Sequence, residues 1–465
     1  TSAGAGAPPT FADAGGGVTF KEGGTNFSNS LLVGTDSTGT LNNAQNNVGV
    51  GGAVFAALTT GDHNVAVGFC ALTANTEGYC NVAIGKGTLR ANTSGYMNTV
   101  IGACAAITNT TGHNNTGIGL DVFQANTSGY DNVAIGTGAL DANTTGYKSV
   151  AVGNYSLSSH TTGLENVAIG YKAAYTTTTP DSIVAIGASA LETNSTGGNH
   201  TAIGAYSLYA NTTGTNNVSV GTQASVANTT GACNVAVGCG ALNKNTTGTR
   251  SVAIGMGALK EATVGGVNVA VGYNAGCAIT NNQDNTAIGR ASNTVTTTGY
   301  GITSVGSQSN PAGATDTNEI IIGSTTGKGT NTAFINTNNS QVFAGNNSAN
   351  FSQTSDRRIK KNIVNNNIGL DKITQIQVRN FEYRTLNEIT DFGEYKKSAV
   401  VEKEGIQLGA IAQEIELILP ELVTTQNTGV KTVDQSNLTW YMINAIKELK
   451  AENDSLKTRI EALES

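Results

Sequence analysis

Between Ser30 and Gly323 one 17-residue sentence repeats without insertion or deletion, marked by Gly at every seventeenth position from Gly34 to Gly323. One copy reads Asn132-Val133-Ala134-Ile135-Gly136, then Thr137 to Ala142, then Asn143-Thr144-Thr145-Gly146-Tyr147-Lys148. Eighteen units stand in the same register. A unit this short cannot bury an apolar face by itself, so each must rest on a neighbour above and below, and the chain is constrained to stacked coils.

Positions two and four of the unit are apolar and flank a small residue, as in Val133/Ile135, Val167/Ile169 and Val252/Ile254. That is the period of a strand, with β-branched residues on one face. A second apolar point falls at position nine (Leu72, Leu140, Leu208, Leu259), which predicts two short strands per coil. Position twelve is usually Asn and position fifteen usually Gly, giving outward Asn-Thr-Thr-Gly turns whose Gly is expected at positive φ; Pro180 replaces that Gly once and predicts a local change. Stacked at about 4.8 Å, eighteen coils make a β-solenoid roughly 86 Å long. The interior is expected to hold Val, Ile, Leu and Ala, with the position-three Ala pointing outward. That leaves a small, apolar outer face suited to other copies of the chain.

Asn-Val-Ala-Ile-Gly recurring with Ala/Leu and Asn-Thr-Thr-Gly resembles the head repeats of trimeric YadA-like adhesins. The resemblance implies a parallel β-roll packed as a homotrimer, here with a repeat slightly longer than is usual in that family.

Composition narrows the remaining choices. Only 12% of residues are charged and 59 are Gly, as suits a durable extracellular fibre, and the formal charge of −7 argues against nucleic acid as a partner. No 18-residue apolar run exists to span a bilayer. The chain begins at Thr1 without Met or a signal sequence, as a processed form would. All six cysteines lie in the repeat. Cys70 and Cys104 share a column two coils apart, too far for a disulfide, and the thiols are expected to be buried as small hydrophobes. No Cys or His spacing resembles a zinc site, and no cofactor is implied. Tyr79, Tyr96, Tyr130, Tyr147 and Tyr300 fall in turn columns where they could touch glycans. Asp131 and Asp141 share a unit but read as solvated turn residues rather than a catalytic pair.

Residues 1–29 have no repeat phase and read as an N-terminal attachment or lead. After residues 30–323, residues 324–354 keep short apolar pairs, Phe334-Ile335 and Val342-Phe343, consistent with a neck of short strands. Composition then changes abruptly, since residues 355–465 hold 32 of the chain's 57 charged residues and five of its 59 Gly. That predicts a separate domain with helices. In its last part, 439–465, Met442, Ile446, Leu449, Asn453, Leu456, Ile460 and Leu463 alternate spacings of four and three, the seam of a self-associating coiled coil with one polar position.

That domain opens Ser355-Asp356-Arg357-Arg358-Ile359-Lys360-Lys361-Asn362-Ile363. There follow Gly409 to Glu416, Leu419-Pro420-Glu421-Leu422-Val423, Val433-Asp434 and Ala445 to Leu449. The set, in this order, resembles the intramolecular chaperone domain (peptidase S74 type) of phage endosialidases and tail spikes. What the resemblance implies is a domain that trimerises, aligns the β-fibre before it and then cuts itself away between Thr354 and Ser355, with Ser355 as nucleophile and Lys360 as general base. Lys361 is the alternative base. A lysine can take a serine proton only where burial lowers its pKa. The competing expectation is that Ser355 or Asp356 caps a helix and both lysines are solvated.

Together these readings describe a mainly β protein, a homotrimeric parallel β-solenoid rod with a C-terminal α+β chaperone domain. The function expected is an extracellular tail-fibre-like adhesin on a virion surface, binding itself and a host glycan or protein receptor. A cell-surface fibre that keeps the domain as a cap is the alternative. Because each coil carries nearly the same sentence, a slip of one unit costs little, and register must be imposed from outside the repeat.

Overall fold

The computed structural model describes residues 20–22, 26–34, 39–336, 341–344, 357–391, 401, 403–426 and 429–464. The chain divides into two compact units, residues 1–354 and 355–465.

The first unit is a parallel β-solenoid of eighteen coils. Each coil contributes one three-residue strand, from β2 (Leu31–Val33) to β19 (Ile320–Ile322), paired in parallel with the equivalent residues of its neighbours. Val133 pairs with Val150, Ala134 with Ala151 and Ile135 with Val152. Strand β1 (Phe20–Glu22) closes the start by antiparallel pairing with β2. At the other end β20 (Ala333–Asn336) pairs in parallel with β19 and antiparallel with β21 (Gln341–Ala344), with Phe334 and Phe343 as backbone partners in the register.

The two faces of the strand are the reverse of the sequence expectation. In every one of these strands the middle residue is buried and its flanks are more open. Ala134 is fully buried, whereas Ile135 is 37% exposed. The alternation is as read, but the coil is so narrow that its inner strand position admits Ala, and the bulk is supplied from across the coil by Leu140 and its equivalents at position nine. Size is traded between the two positions. Where position three shrinks to Gly49 or Gly117, position nine grows to Phe55 or Phe123, and a Cβ on Gly117 would stand 3.0 Å from the Phe123 ring. Where position three is Val100, position nine is Ala106. This is the volume matching that close-packed interiors require. The apolar outer strip is therefore Val and Ile, larger than expected.

Position nine does not form a second strand. Leu140 lies at φ 51°, in the left-handed region, as do the residues at positions seven and seventeen of most coils. A branched side chain there costs on the order of 1 kcal/mol and persists because the stack fixes the backbone on both sides. Gly at position five takes φ 132° at Gly136, and an added Cβ there would strike the Gly153 carbonyl carbon at 2.6 Å. Gly at position fifteen, expected at positive φ, does not adopt it. Gly146 is required instead by close approach, because its Cβ would stand 2.4 Å from Asn143 Oδ1 and 2.6 Å from the Gly163 carbonyl oxygen.

The Asn of position twelve, expected in outward turns, is buried. Asn126 Nδ2 donates to Asn109 Oδ1 in the preceding coil (2.7 Å) and to the Gly129 carbonyl (3.2 Å), and its own Oδ1 accepts from Asn143 (2.8 Å). A second buried ladder runs through position one. Asn132 Nδ2 donates to Gly146 O at 2.8 Å, and its backbone N–H donates to Asn115 Oδ1 at 3.1 Å. Within a run of Asn, stacking identical amides pairs Nδ2 of one with Oδ1 of the next and so offsets the cost of burial, while Asn143 and Asn245, where such runs end, keep a buried Oδ1 without a partner. The Pro180 turn keeps this role, its carbonyl accepting from Asn166 Nδ2 at 3.0 Å. The thiols also differ from expectation. Cys80, Cys233 and Cys239 are exposed, Cys70, Cys104 and Cys277 half-buried, and all six are free. They sit in turn columns that point away from the core.

The second unit is a small α/β assembly. A 3-10 turn (Arg357–Ile359) leads to α1 (Leu370–Ile373). Strand β22 (Arg379–Phe381) pairs antiparallel with β23 (Gln407–Gly409). Helix α2 (Ala412–Ile418) and a 3-10 turn (Pro420–Leu422) follow, and β24 (Val423–Thr425) pairs antiparallel with β25 (Lys431–Val433). The chain ends in α3 (Gln435–Glu464). No helix among the described residues is long and apolar enough to cross a membrane.

Candidate functional site

The motifs of the C-terminal unit converge on its small core. Ile415, Leu419 and Leu422, from the second and third motifs, are its buried centre, with Val433, Leu438 and Tyr441 packed around them. Asp434 opens α3, its carboxylate accepting from the Asn437 N–H (3.1 Å) and side-chain amide (2.8 Å), an N-terminal cap. Tyr441 on α3 donates to Glu421 Oε1 at 2.5 Å, and that bond holds the Glu421 carboxyl below the usual carboxylate range. Arg379 grips Glu414 with two bonds of 3.2 and 3.0 Å, tying β22 to α2.

The last motif anchors the start of the unit. Glu448 Oε2 accepts from the Leu370 N–H at 2.8 Å, and Asn444 Nδ2 donates to the Asn366 carbonyl at 2.8 Å. Gly369 has no room for a side chain, since a Cβ would lie 2.3 Å from Ala445 N. The stretch from Asn366 to Leu370 is thus laid against α3, seventy-eight residues later in the chain.

Ser355 and Thr354, the predicted nucleophile and cleavage position, lie outside the described residues. Lys360 follows the Arg357–Ile359 turn, its N–H donating to Arg357 O at 3.2 Å, and both Lys360 and Lys361 are exposed. The burial that would make either a general base is not supplied by the described residues of this chain.

Much of the unit's apolar surface is open. Along α3, Ile446 is 65% and Leu463 87% exposed, with Met442, Leu449, Leu456 and Ile460 also open. Of the α3 residues only Ala445 is buried. A groove of about 370 Å³ between the strands and α3, lined by Ile376, Val378, Leu408, Ala410, Val433 and Leu438, adds to it.

Sequence reasoning missed Glu319, which ends the position-one column of the rod. It is fully buried, and its Oε1 accepts from Lys328 N, from Gly329 N (2.7 Å) and from Thr332 Oγ1 (3.3 Å). Burial pushes its carboxyl up. Its place in the Asn column, followed by Lys328-Gly329, was the only signal. The turn tyrosines form a ladder: Tyr79, Tyr96, His113, Tyr130 and Tyr147 stack with centroids 4.6 to 5.0 Å apart. Asp131 accepts from Asn114 and Asp141 from Ser158, each within its own column.

A family described as chaperone of endosialidase matches residues 355–424, and the match does not extend to the repeats. No curated protein and no solved structure matches the chain. Residues 355–424 are thus similar to the endosialidase chaperone, while the rod is described by its geometry alone.

Proposed function

We propose that this protein is a homotrimeric, tail-fibre-like extracellular adhesin of a virus or phage, in which the C-terminal unit aligns three rods and then cuts the chain before Ser355. The observation that supports it best is the open seam of α3 on a unit that matches the endosialidase chaperone. Three such helices, packed seam to seam, would bury residues that a lone chain leaves in water, each burial contributing roughly 1.5 to 3 kcal/mol. Helix α3 holds Leu370 and Asn366 through Glu448 and Asn444, so assembly would also bring the three chains' preceding Lys360 segments toward one another. Partner chains would then supply the burial Lys360 lacks here, and cleavage would wait for assembly. In the rod, the Val/Ile strip offers a second surface for the same partners.

The test is sedimentation and intact mass of the expressed full chain beside Ser355→Ala. A trimer yielding a fragment of residues 355–465 in the wild type only is the expected result. An intact wild-type trimer removes the cleavage step, and a stable monomer removes the whole proposal.

A further inference from the structure

Two groups of aromatic rings stand on the rod, and they are built differently. In the ladder from Tyr79 to Tyr147 the rings lie face on face, with interplanar angles of 2 to 13°. Their faces are used up against one another, leaving edges outward. The second group lies on positions six, seven and ten of the coils between Asp141 and Tyr209. Here Tyr155 meets Tyr175 edge-on, at 89° and 6.4 Å, and Tyr206 meets Tyr209 at 60° and 5.7 Å. These rings do not stack face on face, and Tyr155 is 40%, Tyr171 53% and Tyr206 47% exposed, with Lys172 over one face of Tyr171.

The group is local. Among the eighteen units, the aromatic residues at positions seven and ten are Tyr155, Tyr175, Tyr206 and Tyr209, all within four successive coils. The same coils break the buried ladders, with His160 in the position-twelve column and Ile183 and His200 in the position-one column. The same columns also depart from Asn in other coils, at Ser251, Ala262, Ile279 and Ile302, so the locality of the group rests on its tyrosines.

Polar groups surround the rings. Lys172 Nζ lies 5.6 Å from the Tyr171 centroid and 5.3 Å from that of Tyr175, and pairs with Glu192 at 3.6 Å. Asp141 accepts from Ser158 Oγ at 2.8 Å, and its Oδ2 lies near the Gly138 site over which the Tyr155 ring is laid. A cation fixed between two rings and carboxylates beside exposed rings form a surface that can stack apolar C–H faces and hydrogen-bond hydroxyls together. Its charged groups are one lysine and two carboxylates, which disfavours an anionic ligand.

Resting on the adhesive reading above, we infer that this tyrosine cluster is a binding site for a neutral pyranose oligosaccharide. Tyr171 and Tyr206, two coils or about 9.6 Å apart along the rod, stack successive sugar rings, and Lys172, Glu192 and Asp141 take the hydroxyls.

The test uses the full chain on an array of neutral and sialylated oligosaccharides, with adhesion to host cells measured in parallel. Expected is binding to neutral members, weakened about tenfold or more by Tyr171→Ala with Tyr206→Ala. Tyr171→Phe should retain it, and Tyr130→Ala in the ladder should leave it unchanged. Melting and sedimentation of the double variant should match wild type. Glycan binding that survives the double variant, or that favours sialylated members, overturns this site and leaves adhesion standing. So does cell adhesion without any glycan binding. Neither glycan nor cell binding overturns both readings. A double variant that loses its oligomeric state makes the cluster a contact between copies and overturns the site.

Discussion

In the rod, a buried side chain finds its partners one coil above and one coil below, whereas in the C-terminal unit the long helix α3 buries Ala445 and leaves most of its large apolar residues in water. The two regions solve the same problem of a thin core in opposite ways. The solenoid repeats a narrow cross-section so that buried polar side chains pair along columns, as Asn109, Asn126 and Asn143 do through Nδ2-to-Oδ1 bonds. Among the described residues, the C-terminal unit has a small buried centre formed by Ile415, Leu419 and Leu422. One region is complete along its axis but carries no mark of register. The other leaves its long helix largely uncovered, which is the feature the proposed assembly would use.

The largest effect expected from this contrast is at the seam. Ile446→Asp with Leu456→Asp places charges where three copies would close, and loss of the oligomer with failure of the rods to assemble is the outcome sedimentation should show. Each Ile or Leu removed from a closed seam costs about 2 to 5 kcal/mol, and each is removed three times. An assembled, soluble fibre from this variant would show that the rod aligns itself and would erase the distinction between the regions.

Next comes Gly238→Ala in the rod. A Cβ there meets the Gly255 carbonyl at 2.6 to 2.7 Å, at φ 131°, so the coil must open, and a loss on the order of 5 kcal/mol is expected in thermal or denaturant melting. Gly240, two residues on, has φ 64° and nothing within 4 Å of the same probe atom. Gly240→Asn should change stability by less than about 1 kcal/mol, since Asn tolerates the left-handed region.

How far these features could be read beforehand follows from where each is decided. The period and the strand at positions two to four were legible because they depend on spacing alone. Which face of the strand turns inward was not. Alternation separates Ala134 from Val133 and Ile135 but does not say that the coil is too narrow for the larger pair. The Asn columns were taken as surface turns for a related reason: one Asn126 looks soluble, and only the stack shows that its neighbours absorb its polarity. The C-terminal motifs were legible as an ordered set, and the structure gives several of them contacts, such as Asp434 capping α3 and Glu448 holding Leu370. The role of Lys360 was readable only through the resemblance, and among the described residues it is exposed.

Acid should separate the two regions by a smaller margin. His200 stands in the position-one column, with the Asn217 N–H donating to its Nδ1 at 3.3 Å and its Nε2 2.8 Å from Gly214 O. With Nδ1 accepting, the proton sits on Nε2 and is given to Gly214. Burial lowers its pKa from 6.5 to about 4, and His160 is lowered for the same reason. Between those two values the unfolded chain binds the extra proton, so the contribution is whole above pH 6.5 and is lost as pH falls toward 4. It reaches about 3 kcal/mol. His200→Asn restores the usual amide of the column, and the rod's acid-induced drop in melting temperature should shrink accordingly. An unchanged drop would place the acid sensitivity elsewhere.

The finest test asks whether the coil interior is set by volume, as the pairing of Gly117 with Phe123 implies. Gly117→Ala alone crowds the ring at 3.0 Å and should cost about 1 to 2 kcal/mol. Phe123→Leu alone leaves a gap and should cost a similar amount. Made together they recreate the Ala134/Leu140 combination of the neighbouring coil, so the double variant should melt within about 0.5 kcal/mol of wild type, a coupling that adjacent, packed residues can carry. If the two losses simply add, the match between positions three and nine is coincidence and the coil tolerates voids. If they cancel, a coil is a unit of fixed internal volume, which is why eighteen different versions of one sentence stack without a break.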